Sequence, residues 1–83
     1  MKLKLRYFAS IREALGAGES LEIAEGTTVA AVRDALIARG GAHAETLARG
    51  RALRSALDQV LCDETELVVD GSELAFFPPV TGG

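Results

Sequence analysis

The residues of this chain best suited to chemistry are the last eight, Phe76–Gly83, which read FFPPVTGG. Their most suggestive reactive group is the α-carboxylate of Gly83. Because Gly82 and Gly83 have no side chains, this end can pass through a channel too narrow for Cβ atoms. A slim stalk that carries a carboxylate is suited to entering the active site of another protein.

Two prolines separate this stalk from the chain before it. Each fixes φ near about −65° and removes a backbone donor, so neither a helix nor a central strand continues through them. Extended from Pro78, the tail would reach roughly 20 Å at about 3.3 Å per residue. We therefore predict a folded domain over 1–77 and an extended, flexible tail over 78–83. The residues expected to pass through the partner's channel before Gly83 are Pro78, Pro79, Val80, Thr81 and Gly82.

Length and composition limit what the domain can do alone. A chain of 83 residues buries only somewhat more than about 60% of its unfolded surface, which suffices for one core without a deep active site. Its 48% hydrophobic and 25% charged content is that of a folded globular protein. Elaborate chemistry would therefore need a partner.

Charge and cysteine content indicate the surroundings of the chain. A net charge of −3 and a pI near 5.0 disfavour nucleic acid and mildly favour a basic protein surface as partner. Cys62 is the single cysteine and cannot form an internal disulfide, which favours a reducing cytoplasm. Neither a signal-like stretch nor an apolar run of about 20 residues is present, so we expect no membrane partner.

Hydrophobic patterning predicts an α+β fold, with one main helix across a mixed sheet. Thr27 or Thr28 can cap that helix, and Gly40-Gly41 ends it. A shorter helical segment covers 9–15, whereas 42–52 fits either a short helix or a loop. Asp58-Gln59 and Asp70-Gly71 supply turns. The predicted strands centre on 3–7, 21–23, 53–57, 60–62 and 73–77.

Two aromatic residues are predicted to be exposed to solvent, where they contribute little to the stability of a monomer. Phe8 falls in register with the charged face of the first strand, and Phe77 alternates away from Phe76. If the last strand pairs beside the first and the 60–62 strand flanks them, Phe8, Leu61 and Phe77 form one apolar docking surface beside the tail. The alternative is that Phe8 or Phe77 belongs to the core, because a slip of one residue reverses a strand's facing.

The other candidate sites favour structural roles. Cys62 is expected to be a small buried hydrophobe rather than a sulfur relay. His43 has no Cys or carboxylate nearby at ligand spacing, so we expect neither a metal site nor a cofactor bound by this chain. An acidic cluster near the base of the tail is expected to be solvated surface rather than a steering surface. Its members are Asp63, Glu64, Glu66, Asp70 and Glu73.

From end to end, the chain resembles the small subunit of molybdopterin synthase, a family of sulfur carriers with the β-grasp fold of ubiquitin. Phe8-Ala9 followed by Arg12-Glu13 is similar to that family's first strand and helix start, and 70–83 is similar to its ending. The family usually has a Val-Asn pair where residues 55–59 read SALDQ, so the geometry of that turn is open. The fold that the resemblance implies is a β-grasp domain with a projecting tail.

The resemblance also implies a reaction. A partner similar to ubiquitin-activating enzymes would use ATP and magnesium to adenylate Gly83, and a sulfur donor protein would convert the adenylate to a thiocarboxylate. The carrier would then dock on the large synthase subunit, as part of a heterotetramer, and give sulfur to cyclic pyranopterin monophosphate to form the molybdopterin dithiolene. Catalytic side chains would belong to the partners, which makes this chain the sulfur-donor subunit of a sulfurtransferase.

Three alternatives remain open from the residues. A β-grasp sulfur carrier for thiamine or cysteine biosynthesis would share the Gly-Gly end, although the Phe-Phe-Pro-Pro segment speaks against it. A ubiquitin-like modifier conjugated to lysine would use the same terminus. A plain interaction domain would use no tail chemistry at all.

Overall fold

The computed structural model describes residues 1–79, and the predicted tail residues 80–83 lie outside them. Within the described residues no helix is long and apolar enough to cross a membrane. The elements in chain order are β1 (Lys2–Tyr7), α1 (Ala9–Leu15), β2 (Gly18–Glu22), α2 (Val29–Ile37), α3 (Gly41–Thr46), β3 (Arg54–Leu57), β4 (Val60–Cys62) and β5 (Glu73–Phe77).

The strands form one mixed sheet in the order β2-β1-β5-β3-β4. β5 pairs parallel with β1, placing Phe76 beside Tyr7, and antiparallel with β3, placing Phe76 beside Ser55. The prediction that the last strand lies beside the first, with support on both sides, is therefore confirmed. Parallel neighbouring strands need a long crossover connection. The chain between β1 and β5 makes this crossover, and its helices lie across the sheet.

The core lies between the sheet and the helices. In β1 alternate side chains are buried, and in β5 Leu74 and Phe76 are fully buried. α2 packs onto this face of the sheet through Val29, Val32 and Leu36. We call the opposite face, which bears the alternate residues of each strand, the outer face.

The main helix begins as predicted and ends earlier than predicted. The Thr28 side chain accepts a hydrogen bond from the Ala31 amide at 3.1 Å, which confirms the N-cap. α2 ends at Ile37, three residues before the predicted stop. Gly40 has φ of 75°, a conformation that glycine adopts readily, and it turns the chain from α2 into α3. The segment left open by the sequence pattern thus begins with a short helix.

A buried arginine organises the loop after α3. The Arg33 guanidinium donates hydrogen bonds to the carbonyls of Leu47 (2.8 Å), Ala48 (2.6 Å) and Arg51 (3.0 Å). It also lies 2.7 Å from a carboxylate oxygen of Glu64. The planar guanidinium can serve these separated acceptors at once, which an ammonium group cannot do in the same geometry. Residues 47–51 are therefore fixed by one side chain of α2 rather than by their own pattern.

The β3–β4 hairpin turns at Asp58 and Gln59, as predicted. Both residues have positive φ, 49° and 69°, as in the type I′ turn that fits the twist of a hairpin. Asp58 is held there by β5, because its amide donates to the Glu73 carbonyl (2.8 Å) and its Oδ1 accepts from the Glu73 amide (3.0 Å). These bonds give the SALDQ segment a defined turn without the Val-Asn pair of the resembling family.

Glu19 ties the edge strand β2 to the rest of the fold. Its carboxylate accepts hydrogen bonds from Tyr7 Oη (2.8 Å) and Arg39 Nη1 (2.5 Å), and lies 2.8 Å from His43 Nε2. Burial raises the pKa of Glu19, but the bonds from His43, Arg39 and Tyr7 outweigh it and lower the pKa to about 2. His43, for which the sequence offered no neighbour, thus contacts a carboxylate. Within residues 1–79, no group of three or more His, Cys, Asp or Glu side chains is arranged to hold a metal ion.

Candidate functional site

The root of the predicted tail is the carboxyl end of β5. The strand ends at Phe77, and Pro78 and Pro79 follow it as half-buried residues outside any helix or strand. Pro78 borders an open groove that also contacts residues of α1 and α3. The predicted roles of Val80, Thr81, Gly82 and Gly83 fall outside the described residues and stay predictions.

This root is held firmly because β5 is central in the sheet. Leu74 and Phe76 are both 0% exposed. The amide of Phe8 donates to the Phe76 carbonyl at 3.2 Å, which extends the pairing with β1 by one residue beyond Tyr7. Burying a large apolar side chain fully contributes about 1.5–3 kcal/mol, so β5 is anchored within two residues of Pro78.

Phe8 and Phe77 lie level with each other on neighbouring strands. Phe8 follows Tyr7, whose register partner is Phe76, so the next residue of each parallel strand falls side by side. Phe8 is 40% exposed and Phe77 is half-buried, and neither belongs to the core cluster. The Arg6 guanidinium carbon lies 5.6 Å from the centroid of the Phe8 ring, which places that ring on the outer face.

Leu61 shares this face but lies two strands away from Phe77. It is 59% exposed and pairs with Ala56, which pairs in turn with Ala75 on β5. Both alanines are almost fully buried yet lie outside the core cluster, so they fill the outer face between Leu61 and Phe77. We call Phe8, Ala56, Leu61, Ala75 and Phe77 the outer apolar surface.

The two alanines are the members that were not singled out from the sequence. The sequence does indicate that Ala75 shares the face of Phe77, because the two residues are two positions apart in one strand. Ala56 can be placed on this face only once the pairing of β3 with β4 and β5 is known. The structure therefore brings Phe8 and Phe77 together and joins Leu61 to them through small residues. That this surface binds a partner stays a prediction.

The structure divides the acidic cluster between the two ends of β5. Glu73 begins β5, whereas the tail leaves from the other end of that strand. Asp70 accepts a hydrogen bond from the backbone at the start of β1, at 2.7 Å. Glu64 pairs with Arg33 and Arg49; burial raises the pKa of Glu64, but the hydrogen bonds from Arg49 and Arg33 outweigh it and lower the pKa. The placement near the base of the tail is therefore wrong for Asp70 and Glu73, because the length of β5 separates them from it. Asp63 lies at the tail end of the sheet instead, because it falls opposite Arg54, the register partner of Phe77.

Cys62 occupies the end of the edge strand β4. It is half-buried and packs against the core, with its Sγ 3.8 Å from Ser55 Oγ. The Ser55 hydroxyl also donates to the Cys62 carbonyl at 3.2 Å. These contacts account for the residue as a small packed side chain.

A mixed sheet with its first and last strands parallel at the centre and one main helix across it defines the ubiquitin-like β-grasp class. The crystal structure of SAMP1 from Haloferax volcanii matches it with a TM-score of 0.79 at 25% identity, over 100% of both chains. A second match is a chain of the complex of subunits 1 and 2 of molybdopterin-converting factor from Helicobacter pylori. Its TM-score is 0.69 over 100% of both chains at 24% identity, a likeness of fold.

Sequence comparison assigns the chain to one family within this fold class. The model of the ThiS family matches residues 5–83. The molybdopterin synthase sulfur carrier subunit of Escherichia coli (strain K12) is 38% identical over 81 residues, covering 98% of this chain and 99% of that one. The chain therefore belongs to the ThiS family, and the resemblance to small subunits of molybdopterin synthase is confirmed.

Phe76 and Phe77 provide a matched test of the two faces of β5. Phe76→Ala should lower the free energy of unfolding by about 3–5 kcal/mol, because it empties a fully buried position. Phe77→Ala should lower it by roughly 1 kcal/mol or less, because this side chain lies on the outer face. Urea denaturation of both variants measures the difference, and equal losses would return Phe77 to the core.

Proposed function

We propose that this chain is the sulfur carrier subunit of molybdopterin synthase and that it works in the cytoplasm. The observation that carries the proposal is the nearly full-length match to the Escherichia coli carrier. It is supported by a β5 strand that is paired on both sides and leads into a Pro-Pro and Gly-Gly ending. The coarse role is that of this relative, and the adenylation and sulfur transfer that we propose are those that the resemblance implies for the terminal glycine.

The proposed reaction begins at the Gly83 carboxylate, which is a poor electrophile as it stands. Attack of this carboxylate on the α-phosphorus of ATP, bound with magnesium by the adenylating partner, gives an acyl-adenylate and releases pyrophosphate. Sulfide supplied by the donor protein then attacks the Gly83 carbonyl carbon and displaces AMP. The product is a thiocarboxylate, whose sulfur is nucleophilic near neutral pH for the reason that a thiolate is.

Sulfur transfer takes place on a second partner, the large synthase subunit. Each thiocarboxylate gives one sulfur atom to cyclic pyranopterin monophosphate, and water hydrolyses the resulting thioester so that Gly83 returns to a carboxylate. Two such transfers supply the two sulfur atoms of the molybdopterin dithiolene. The Helicobacter pylori protein of the same fold is one of two subunits in a complex, which agrees with such a docking step. In this scheme the outer apolar surface binds the large subunit while the tail enters its active site.

Protein modification is a second candidate function. It is favoured by the likeness in fold to SAMP1, a small archaeal modifier protein. Both uses would activate Gly83 in the same way and differ in the acceptor, which is a lysine amine for a modifier and a pterin for a sulfur carrier. Identity of 25% to SAMP1, against 38% to the Escherichia coli carrier, ranks sulfur transfer first.

A chain that ends at Gly82 should fold normally and fail to accept sulfur. The deletion removes no apolar side chain, so the melting temperature should stay the same. It withdraws the carboxylate by about 3.3 Å, which is enough to take it out of the partner's reactive position. Incubation with the adenylating partner, ATP, magnesium and sulfide, followed by mass measurement, reports loading.

The matched control is Thr81→Ser, which keeps the length of the tail and should load as the native chain does. Gly82→Val tests the partner's narrow channel separately. A valine side chain should not fit a channel that excludes a Cβ atom, so we expect this variant to fail in sulfur transfer. Sulfur loading of the shortened chain at the native rate would contradict the assignment of Gly83.

Phe8→Ala and Leu61→Ala should weaken binding to the large subunit without unfolding the carrier. Both side chains are substantially exposed, so the melting temperature should change little. As apolar anchors of the interface each should cost about 2 kcal/mol or more in affinity, measured by titration calorimetry. Val69→Ala is the control, because Val69 is 58% exposed but lies in the segment before β5. Unchanged affinity for both variants would exclude the outer apolar surface as the docking site.

A further inference from the structure

The outer face carries a distinctive set of charges around its apolar centre. In β1 the exposed residues alternate with the buried ones and are all basic, and Arg54 pairs with Phe77 at the start of β3. The cationic side chains placed on this face by strand register are Lys2, Lys4, Arg6 and Arg54. The carboxylates on the same face of β2 and β5 are Glu22 and Glu73. A third, Asp63, follows β4 and falls opposite Arg54 by the register of β3 with β4.

The carboxylates of Glu22 and Glu73 already have a cationic neighbour. Glu73 lies 3.2 Å from Arg6, and Glu22 lies 3.8 Å from the amino terminus. Among residues 1–79, Lys2, Lys4 and Arg54 take part in no ion pair. The face is therefore positive, with four cationic side chains against three carboxylates around the outer apolar surface.

This distribution opposes the charge of the whole chain, which is −3. The net charge alone favoured a basic partner surface. The folded chain separates its charges instead, with acidic residues such as Glu25 and Glu66 exposed outside this face. A partner that covers the outer face meets the local positive charge first, because charges beyond a Debye length of about 8–10 Å are largely screened.

We infer that the protein surface which covers the outer face is acidic, with carboxylates placed around an apolar centre to meet Lys2, Lys4 and Arg54. This inference rests on the proposed function, in which that surface belongs to the large synthase subunit. The outer apolar surface supplies affinity, whereas the charged side chains around it, which we call the rim, speed the encounter of the two proteins and fix their relative orientation. Docking on a basic surface would bring like charges together and slow association.

The test measures association of the carrier with the large subunit from the same organism by stopped flow. For the native chain, the association rate should fall at least about tenfold as the Debye length is reduced from about 30 Å to about 3 Å with NaCl. The dissociation rate should change much less, because the rim is solvent-exposed. Arg54→Glu should lower the association rate at low salt by about threefold or more.

A compensated variant separates the local charge from the net charge. Arg54→Glu combined with Glu25→Lys keeps the net charge of the native chain but reverses the charge beside Phe77. It should associate as slowly as Arg54→Glu alone, whereas Glu25→Lys alone should stay within about twofold of native. Lys4→Gln is a second variant that removes a positive charge from this face, and it does so without introducing a carboxylate. Melting curves verify that each variant is folded.

The outcomes are distinct. Binding that does not depend on salt, or recovery of the native rate by the compensated variant, would overturn the acidic complement while leaving the proposed function intact. Failure of the native carrier to bind the large subunit at any salt concentration would overturn the proposed function, and this inference with it.

Discussion

The pairing of β5 on both sides is the constraint on which the rest of the structure depends. A tail that enters another protein must start from a fixed point, and a strand at the edge of the sheet would fray there. β5 avoids this by lying between β1 and β3, with Leu74 and Phe76 fully buried beneath it. The parallel pairing with β1 in turn requires a long crossover, which the helices provide. The fold is thus arranged around the strand that leads into the tail.

The same arrangement explains why the outer face is apolar at one end. Only one face of β5 can pack on the helices, so alternation sends Ala75 and Phe77 to the other face. Ala56 and Leu61 continue this face across β3 and β4. An exposed apolar surface has a cost for a free monomer, and under the proposed function it would be covered when a partner docks.

Much of this architecture was predictable, because it rests on local patterning. Alternation placed β1 and β5 with their correct buried faces, and Thr28 marked the start of α2. Residues 47–51 were not predictable, because they are held by Arg33 from a distant part of the chain. Asp70 and Glu73 were misplaced for a similar reason. Nearness in sequence to Pro78 did not reveal that β5 carries the chain away from them.

The central claim is that Gly83 becomes a thiocarboxylate in the cell, and the intact mass of the purified chain tests it most directly. Replacement of one oxygen by sulfur adds about 16 Da, and the new group should react with an alkylating agent as a thiolate does. We predict this increment in wild-type cells and its absence in cells that lack the adenylating enzyme. A chain found only with an unmodified carboxylate, or only joined to other proteins, would contradict the account.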